Sequence, residues 1–340
     1  MVTMAKVWRL SDSFHGLPRV ENFVLTEEEL PSLSSKGNVI KWGLNSEPSY
    51  ILIGAVYLSL DPYFRVFSSG KNLPGEQVGR VLDSKSAEYP VGSLVCVHAG
   101  WRSHSVINVT KPRSYGTKVV KIVDVSGVSP SLWLGAAGMP GVTAFMAFHN
   151  KCHPKPGEVI VVSSAAGAVG SVVGQLAKLK GLTVIGIAGS NEKCQYVKDL
   201  GFDHAINYKT DDISSSLDTA SPSGVDIYFD NVGGNISNTV NSKMKSHGRV
   251  LDCGSISTYN DDSASQGHKK RKKSVRHESF AIFSPENLSH FEEVRWELIE
   301  LIKQGKLKTK EHVTEGFENM PAAFISLFTG ANFGKALVKV

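Results

Sequence analysis

The segment that most constrains the fold of this 340-residue chain is EVIVVSSAAGAVGSVVGQLAKLKG, residues 158–181. It opens with four β-branched residues, 159–162, which predict a short buried strand. Ala165, Gly167 and Gly170 then stand at the spacing of a GxGxxG turn, with alanine in the first position. Apolar residues at helical spacing follow the turn. Because free backbone N–H groups at a helix start favour anions, the segment predicts a site for a dinucleotide phosphate.

The next apolar run, TVIGIA at residues 183–188, follows that helix at the distance that a βαβ unit needs. The residues at the carboxyl end of this run predict which dinucleotide binds. An NAD site has Asp or Glu there to accept hydrogen bonds from the ribose 2′-OH, whereas this chain has AGSN at residues 188–191 and then Lys193. A 2′-phosphate would meet a small polar turn and a cation, which favours NADP. The alternative for Lys193 is a solvated lysine in the following helix.

Length and composition indicate an ordinary globular protein of two domains, with 20% charged and 41% hydrophobic residues. Much of the net charge of +5 comes from HKKRKK, residues 268–273, so the charge balance does not by itself imply a nucleic-acid partner. The chain has no apolar stretch long enough to span a bilayer, and its N-terminus lacks a signal-peptide core. These features predict a cytoplasmic protein without a membrane segment.

The cysteines stand singly, without a CxxC pair or the spacing of metal ligands. They are Cys96, Cys152, Cys194 and Cys253. This pattern predicts reduced thiols in a reducing compartment. Cys253 lies in an apolar run and is interpreted as a packed core residue rather than a nucleophile.

Two kinds of secondary structure follow one another along the chain. Residues 5–123 consist of short β-type runs between turns, which predict an antiparallel β module. Residues 132–150 predict a helical connector. Further strands, which alternate with helices and so predict a parallel sheet with crossovers, are expected at residues 183–188, 205–207, 225–229, 248–253 and 280–283. A helix is expected over 287–303, and the β-branched tail 336–340 is expected to pair with the first module.

Eight segments, in order and spread over nearly the whole chain, resemble a known family. They are SLDPYFR (59–65), GMPGVTAF (138–145), SAAGAVGSVVGQLAKLKG (164–181), AGSNEK (188–193), NYK (207–209), YFDNVGG (228–234), CGSISTYN (253–260) and EGFENMPAAF (315–324). The chain is similar to the zinc-independent medium-chain dehydrogenases/reductases, and within them to the prostaglandin reductase 1 group (leukotriene B4 12-hydroxydehydrogenase / 15-oxo-prostaglandin 13-reductase).

The resemblance implies an α/β fold that combines a GroES-like β module with a Rossmann domain, whose doubly wound parallel sheet binds NADP. The implied boundaries are residues 1–128 and 305–340 for the GroES-like substrate domain and 129–304 for the Rossmann domain. A cleft where the two domains meet and a homodimer are also implied.

The positions that hold zinc in the metal-dependent relatives carry other residues here. Gly75-Glu76-Gln77 stands where a metal-binding GHE is expected, and Ser59-Leu60-Asp61 where a cysteine ligand is expected. His98 and His104 are interpreted as hydrogen-bonded structural residues. The sequence therefore predicts no metal site. Without a Lewis acid the developing oxyanion must be stabilised by hydrogen bonds, which suits reduction of a conjugated C=C bond, where the charge is delocalised as an enolate.

The resemblance implies that reaction: NADPH delivers hydride to the β-carbon of an α,β-unsaturated ketone or aldehyde, and a proton then saturates the α-carbon. The implied partner is a small-molecule enone or eicosanoid, and neither a membrane nor a nucleic acid is expected. Carried over residue by residue, the implied cofactor positions are Gly167, Ala168, Val169 and Gly170 at the pyrophosphate, Lys193 and Tyr208 at the adenosine phosphate, and Asn231, Cys253, Gly254, Ser255, Ile256, Ser257, Thr258, Tyr259, Phe280, Ala281, Ile282 and Asn332 along the nicotinamide half.

For the substrate, the resemblance implies contacts from Arg65, Met139 and Tyr259, and a catalytic role for Tyr63. Tyr63 is expected to orient or protonate the carbonyl or enolate; the alternative is a core tyrosine that anchors a turn. One departure concerns the tyrosine that prostaglandin-active members carry eight residues before the position of Phe280. Lys272 stands there in this chain. Either its ammonium replaces that hydroxyl, or the enolate is held by the cofactor ribose and water.

Several alternatives stay open. The same residues could serve NADP-dependent oxidation of a hydroxy-eicosanoid or an allylic alcohol, or quinone reduction. The basic run around 267–276 is interpreted as a solvated loop, as a cationic rim that attracts carboxylate-bearing lipids, or as a patch for RNA or another anion, as in a zeta-crystallin-like binding protein.

Overall fold

The computed structural model describes residues 3–33, 49–67, 72–112, 117–261, 272 and 274–340. These residues form two compact units. The first contains Met1–Leu134, Val313–Ile325 and Leu337–Val340, and the second contains Gly135–His312 and Ser326–Ala336. The domain boundaries expected from the sequence, after residues 128 and 304, stay predictions. The basic run at 268–273 lies outside the described residues except for Lys272.

Strands and short helices alternate along the chain. The strands are β1 (Thr3–Leu10), β2 (Phe23–Leu30), β3 (Tyr50–Ser59), β4 (Glu76–Ser84), β5 (Leu94–His98), β6 (His104–Asn108), β7 (Val120–Lys121), β8 (Val159–Ser163), β9 (Thr183–Ala188), β10 (His204–Asn207), β11 (Val225–Asp230), β12 (Met244–Asp252), β13 (Arg276–Ser279), β14 (Glu311–Glu315) and β15 (Lys335–Lys339). The α-helices are α1 (Phe64–Phe67), α2 (Met139–Ala147), α3 (Gly170–Leu179), α4 (Asn191–Asp199), α5 (Ile213–Ala220), α6 (Gly234–Ser242), α7 (Pro285–Ser289), α8 (Phe291–Lys303) and α9 (Met320–Thr329).

The β-rich part of the chain is organised around β3. The sheet runs in the order β14-β15-β3-β4-β5-β7, and β6 also pairs with β3. The pairs that β3 makes with β4, β6 and β15 are antiparallel, and the C-terminal strand β15 matches Leu337 with Ser59. Both features confirm the sequence-based expectation. Side chains alternate across the sheet, so that Ile51 and Ile53 are fully buried in its core.

An aromatic cluster in the first unit anchors α1. The ring of Trp101 stacks on Phe23 at 5.7 Å, and its edge contacts Phe64 and Phe324 at 6.3 and 5.6 Å. Phe64 and Phe324 are fully buried, and burial of each such side chain contributes about 2–3 kcal/mol. Because Phe64 belongs to α1, this cluster fixes the backbone on which its neighbour Tyr63 stands.

The second unit is built on a six-stranded sheet in the order β10-β9-β8-β11-β12-β13. All its pairings are parallel. The chain therefore starts in the middle at β8, winds outwards to β10, returns to β11 and winds outwards again. This is a doubly wound sheet, and it confirms the predicted α/β class. The order reverses between β8 and β11, and at such a switch point a crevice opens outside the carboxyl ends of the strands.

Small residues let α3 lie close to this sheet. A Cβ on Gly174 would stand 1.8 Å from Cζ of Phe202, and a Cβ on Gly186 would stand 2.9 Å from Phe202. The ring of Phe202, which is buried, thus fills the space that both glycines leave. The apolar core against which the helices pack includes Val161, Ile185, Ile187, Ile206, Leu217, Tyr228, Val240 and Val250.

Two sequence-based expectations near the end of the second unit are wrong. The last parallel strand is β13 at Arg276–Ser279 and not residues 280–283, which form a turn closed by a bond from Ser284 N to Ala281 O. An edge strand tolerates polar residues, so the apolar run was a misleading signal. The helix expected over 287–303 is divided at His290 into α7 and α8. None of the described helices combines the length and hydropathy needed to cross a bilayer.

Candidate functional site

The residues that the resemblance implies for the cofactor follow the carboxyl ends of the six parallel strands. The glycine-rich turn (residues 165–170) follows β8, Lys193 follows β9, Tyr208 follows β10, Asn231 follows β11, residues 253–259 follow β12, and residues 280–282 follow β13. Because parallel strands end at one edge, the sheet brings these segments to the same side of the second unit. We call this side the carboxyl edge.

The glycine-rich turn presents backbone donors. Gly167 N donates to Ser164 O at 2.9 Å, and α3 begins at Gly170. A Cβ on Gly170 would stand 2.4 Å from Ser164 O, so only glycine lets the helix start this close to β8. Within the described part of the chain, the N–H groups of Val169 and Gly170 have no acceptor. Free donors at a helix start are suited to a pyrophosphate.

The turn after β11 is tied to β8 through Asp230, which is fully buried. Its Oδ1 accepts hydrogen bonds from the Tyr228 hydroxyl at 2.8 Å and from Gly233 N at 2.9 Å. Asn231 is fixed at both ends by the last residue of β8: its backbone N–H donates to Ser163 Oγ at 2.9 Å, and its Nδ2 donates to Ser163 O at 2.8 Å. The switch point between β8 and β11 is therefore rigidly held.

The loop after β12 is bound to the loop after β11. The backbone N–H groups of Cys253 and Gly254 donate to Asp230 O at 2.9 and 3.0 Å, and Ser257 Oγ donates to Val232 O at 2.6 Å. Burial, and then the charge of Asp230, raises the pKa of the Cys253 thiol to about 12. The thiol is therefore protonated at neutral pH, which agrees with the interpretation of Cys253 as a non-nucleophilic residue.

The tip of β9, residues 188–191, carries polar groups and no carboxylate. Ser190 caps α4 by accepting a hydrogen bond from Lys193 N at 3.2 Å. Tyr208 lies against the tip: its ring is 2.9 Å from the place where a Cβ of Gly189 would stand. Lys193 Nζ donates to Gly330 O at 2.7 Å. Burial, and then the charge of Lys209, lowers the pKa of Lys193.

The carboxylate nearest to this tip along the chain is that of Glu192. It is fully exposed, and hydrogen bonds from its own backbone N–H and from the Ser190 side chain lower its pKa. It thus acts as a local partner at the start of α4, where a negative charge is favoured by the helix dipole.

Asn332 belongs to a segment, residues 330–334, that lies beside the glycine-rich turn. Gly334 N donates to Ala166 O at 2.8 Å, and Gly330 O accepts from Lys193. The role along the nicotinamide half that the resemblance implies for Asn332 stays a prediction. Its own Nδ2 donates to Gly334 O at 3.0 Å.

The residues implied for the substrate are held by local contacts. In the first unit Tyr63 is half-buried with its ring edge-on to Phe64 at 4.8 Å. Arg65 Nη2 donates to the carbonyls of Phe14 and Gly16 at 3.2 and 3.3 Å, and the guanidinium lies 5.1 Å from the Phe14 ring centroid. In the second unit Met139 is buried at the first position of α2. The catalytic and substrate roles of these residues stay predictions.

The hydroxyl of Tyr259, the remaining substrate position, lies 3.4 Å from Ser255 N, whose hydrogen bond it accepts. Burial raises the pKa of Tyr259. Its hydroxyl is therefore protonated at neutral pH and can donate to an oxyanion.

The residues at the positions that correspond to metal ligands make contacts within the protein. Ser59 Oγ donates to Asp61, Glu76 lies 3.4 Å from His98 Nε2, and Gln77 Nε2 donates to Gly100 O at 3.2 Å. Within the described ranges, no three His, Cys, Asp or Glu side chains gather as a metal site.

Lys272, which stands at the spacing of the family tyrosine, lies elsewhere. Its Nζ donates to the carbonyls of Ser242 and Met244 at 2.8 and 3.1 Å. These are the last residue of α6 and the first residue of β12. The ammonium thus caps a helix at the amino end of the sheet, where the helix dipole favours a cation. It does not stand in for a hydroxyl at the carboxyl edge.

The donor set at the carboxyl edge fits a dinucleotide with a 2′-phosphate. Free backbone donors suit the pyrophosphate, and a lysine beside a serine and a tyrosine suits a further phosphate. Sequence reasoning missed the contribution of Asp230 and the role of Ser190 as the cap of α4. The signals were present, since an Asp followed by a Gly-Gly turn and a Ser three residues before a helical Lys are both local capping patterns.

Comparison with known proteins identifies the family of the chain. Residues 168–295 match the family model described as zinc-binding dehydrogenase, and residues 6–114 match the one described as N-terminal domain of oxidoreductase. Prostaglandin reductase 1 of Bos taurus is 42% identical over 98% of this chain and 99% of its own length. The 2-alkenal reductase (NADP(+)-dependent) of Nicotiana tabacum is 37% identical over 94% and 96% of the two chains.

Among solved structures, CurA from Vibrio vulnificus in complex with NADPH superposes with a TM-score of 0.86. It is 34% identical and the match covers 98% of this chain and 99% of that one. Sequence identity over the full length and the shared architecture lead to one conclusion: the chain belongs to the medium-chain dehydrogenase/reductase family, in its prostaglandin reductase 1 group.

Proposed function

We propose that this protein uses NADPH to reduce the C=C bond of α,β-unsaturated ketones and aldehydes without zinc. The observation that carries the proposal is the carboxyl edge of the parallel sheet. There a helix start with two free N–H groups lies next to a strand tip with a lysine, a serine and a tyrosine in place of a carboxylate. The names of the relatives, which act on prostaglandins and alkenals, supply the substrate class.

The residues of this chain bind and orient. The N–H groups of Val169 and Gly170 hold the pyrophosphate, and Lys193 with Tyr208 holds the 2′-phosphate. When bound, the nicotinamide supplies the hydride. Asn231, which Ser163 fixes through two hydrogen bonds, keeps the switch point of the sheet rigid.

Hydroxyl groups stabilise the oxygen of the substrate. Tyr259 is held in its protonated form by burial, so it can donate a hydrogen bond as charge develops on the carbonyl oxygen. For Tyr63, which lies in the first unit, the catalytic role is proposed from the family resemblance. Delocalisation of the charge as an enolate makes hydrogen-bond donors sufficient. At the zinc-ligand positions, Ser59 donates to Asp61, and Glu76 lies 3.4 Å from His98 Nε2.

The test is NADPH oxidation with a short alkenone, a 15-oxo-prostaglandin and a quinone, with products identified by mass spectrometry. With NADPH deuterated at C4, the label should appear on the β-carbon of the saturated ketone, and prior treatment with a chelator should leave the rate unchanged. The proposal would be wrong if the enone gave an allylic alcohol. It would also be wrong if the protein only oxidised an allylic alcohol with NADP⁺, or if it only reduced the quinone. Salt-sensitive RNA binding with no enone turnover would replace it with a binding function.

Three finer statements belong to the same proposal. We propose an eicosanoid-type enone among the substrates, a homodimer, and a cytoplasmic location. The first rests on the prostaglandin-reductase relatives and the second on the family resemblance. The third rests on free cysteines, since Cys96, Cys152, Cys194 and Cys253 form no disulfide. A comparison of turnover for prostaglandin and short-chain enones tests the first statement, and light scattering of the full chain tests the second.

A further inference from the structure

The ammonium of Lys193 is held by neutral groups. Gly330 O accepts a hydrogen bond from Nζ at 2.7 Å, and Nζ also lies 5.4 Å from the centroid of the Phe333 ring. Within the described residues Lys193 makes no ion pair with a carboxylate. An ammonium has three N–H donors, so two of them stay available. A carbonyl and a ring face thus orient the charge without neutralising it.

The Phe333 ring is itself fixed by α4. Tyr196, three residues after Lys193 and therefore on the same face of the helix, meets the ring edge-on with centroids 6.2 Å apart. Lys310 Nζ lies 4.6 Å from the Phe333 centroid and 5.0 Å from that of Tyr196. Two cations and a second aromatic ring thus determine the orientation of one phenylalanine.

The backbone next to Phe333 is bound to the glycine-rich turn. Gly334 N donates to Ala166 O at 2.8 Å, and Gly334 pairs with Gly167 as an isolated bridge. Gly334 has φ +61°, and a Cβ there would stand 1.9 Å from Lys310 O, so the segment has little freedom. The ring that orients Lys193 is therefore held at a fixed distance from the donors for the pyrophosphate.

We propose that Phe333 is a specificity-determining residue for NADP(H). Its ring and the Gly330 carbonyl hold the Lys193 ammonium at the tip of β9, ready to receive the 2′-phosphate. The inference rests on the proposed function and assigns a positioning role within that site. A free lysine loses rotamer freedom on binding a phosphate, and a lysine that is already oriented loses less. The gain applies only to a ligand that carries the 2′-phosphate.

The experiment measures binding of the two adenosine fragments by calorimetry, with Phe333→Leu as the variant. Leucine keeps an apolar side chain of similar reach and removes the ring face. The affinity for 2′,5′-ADP should fall about three- to tenfold, whereas that for 5′-AMP should stay within about twofold. Phe333→Tyr, which keeps the ring, should bind both fragments like the wild type. Phe291→Leu is the matched control, because it removes the ring beneath Arg295 at 5.0 Å, outside the proposed site.

A cycle with Lys193→Met identifies the route of the effect. In that background Phe333→Leu should change the affinity for 2′,5′-ADP by less than about twofold. Equal losses for both fragments, an unchanged ratio, or full additivity with Lys193→Met would overturn the inference while leaving the proposed function intact. If the wild type does not prefer 2′,5′-ADP and does not reduce enones, the proposed function itself fails. If Phe333→Leu is unstable, Phe333→Tyr and Phe333→Met answer the same question. The ratio of the affinities for 2′,5′-ADP and 5′-AMP should equal that of the wild type in Phe333→Tyr and should fall in Phe333→Met.

Discussion

Replacement of Lys193 by glutamate should reverse the preference for NADPH. Two N–H donors of this ammonium are free to bond a phosphate. A hydrogen bond to a charged group contributes about 1.5–3 kcal/mol, so loss of the lysine alone weakens NADPH binding about 10- to 150-fold. A glutamate adds repulsion of about 1 kcal/mol toward the 2′-phosphate at this half-exposed site. The KM for NADPH should therefore rise about 100-fold or more.

NADH provides the internal control for this variant. A carboxylate at the strand tip accepts hydrogen bonds from a ribose 2′-OH, so the KM for NADH should stay the same or fall. Lys193→Gln, which removes the charge without adding one, should fall between the wild type and Lys193→Glu. Lys198→Glu, an exposed change on the same helix, should leave the NADPH to NADH ratio unchanged.

The assay is steady-state enone reduction with each nucleotide at low and high salt. The lowered pKa of Lys193 also predicts a pH dependence. As the pH rises through the pKa of Lys193, the ammonium becomes neutral. The preference for NADPH should therefore begin to decline at a pH lower than the usual pKa of a lysine. Similar losses for both nucleotides in Lys193→Glu, or no loss for NADPH, would refute the assignment of Lys193 to the 2′-phosphate.

Three further changes test other parts of the structure. In Gly170→Ala the new Cβ would stand 2.4 Å from Ser164 O, so this change should cost about 1–3 kcal/mol of stability and raise the Kd for NADPH. Gly157→Ala is the control: Gly157 has φ +83° and open space around it, so the change should cost about 1 kcal/mol of stability and leave the Kd for NADPH unchanged. Burial opposes ionisation of Glu158, but the hydrogen bonds that it accepts, first those from Arg249, lower its pKa. Arg249→Met should therefore lower the free energy of unfolding, measured with urea at neutral pH, by about 2 kcal/mol. The loss should be much smaller once the pH falls through the pKa of Glu158 in the folded state. Tyr63→Phe should lower kcat/KM for an enone about 10- to 100-fold without changing the Kd for NADPH or the stability; an unchanged kcat/KM would remove its catalytic role.

The sign of the Arg249 prediction follows from the direction of the shift. The folded-state pKa of Glu158 lies below that of the unfolded chain, so the ion pair stabilises the fold above the unfolded-state value. This stabilisation is lost as the carboxylate of the folded state is protonated. If the deficit of Arg249→Met is the same at neutral and acidic pH, packing of the long side chain, and not its charge, is what stabilises the fold.

Much of the second unit could be predicted because its signals are local. The strand, the glycine-rich turn and α3 lie within about one βαβ unit of sequence, and their positions agree with the structure within a residue or two. The edge strand β13 could not be predicted in this way, since pairing with β12 and not hydrophobicity selects Arg276–Ser279. Lys272 shows the same limit. Its spacing from Phe280 suggested the active site, but the fold directs its ammonium to the end of α6.

The class of fold, the family and the absence of a carboxylate at the tip of β9 could all be inferred before folding was considered, because each depends on residues that are neighbours along the chain. The contacts that hold Lys193 could not be inferred in this way. Its partner Gly330 is 137 residues away, and Phe333 reaches the same ammonium from that segment. A parallel sheet gathers the ends of strands that are distant in sequence, so the groups that orient a charge at its edge can only be identified once the chain is folded.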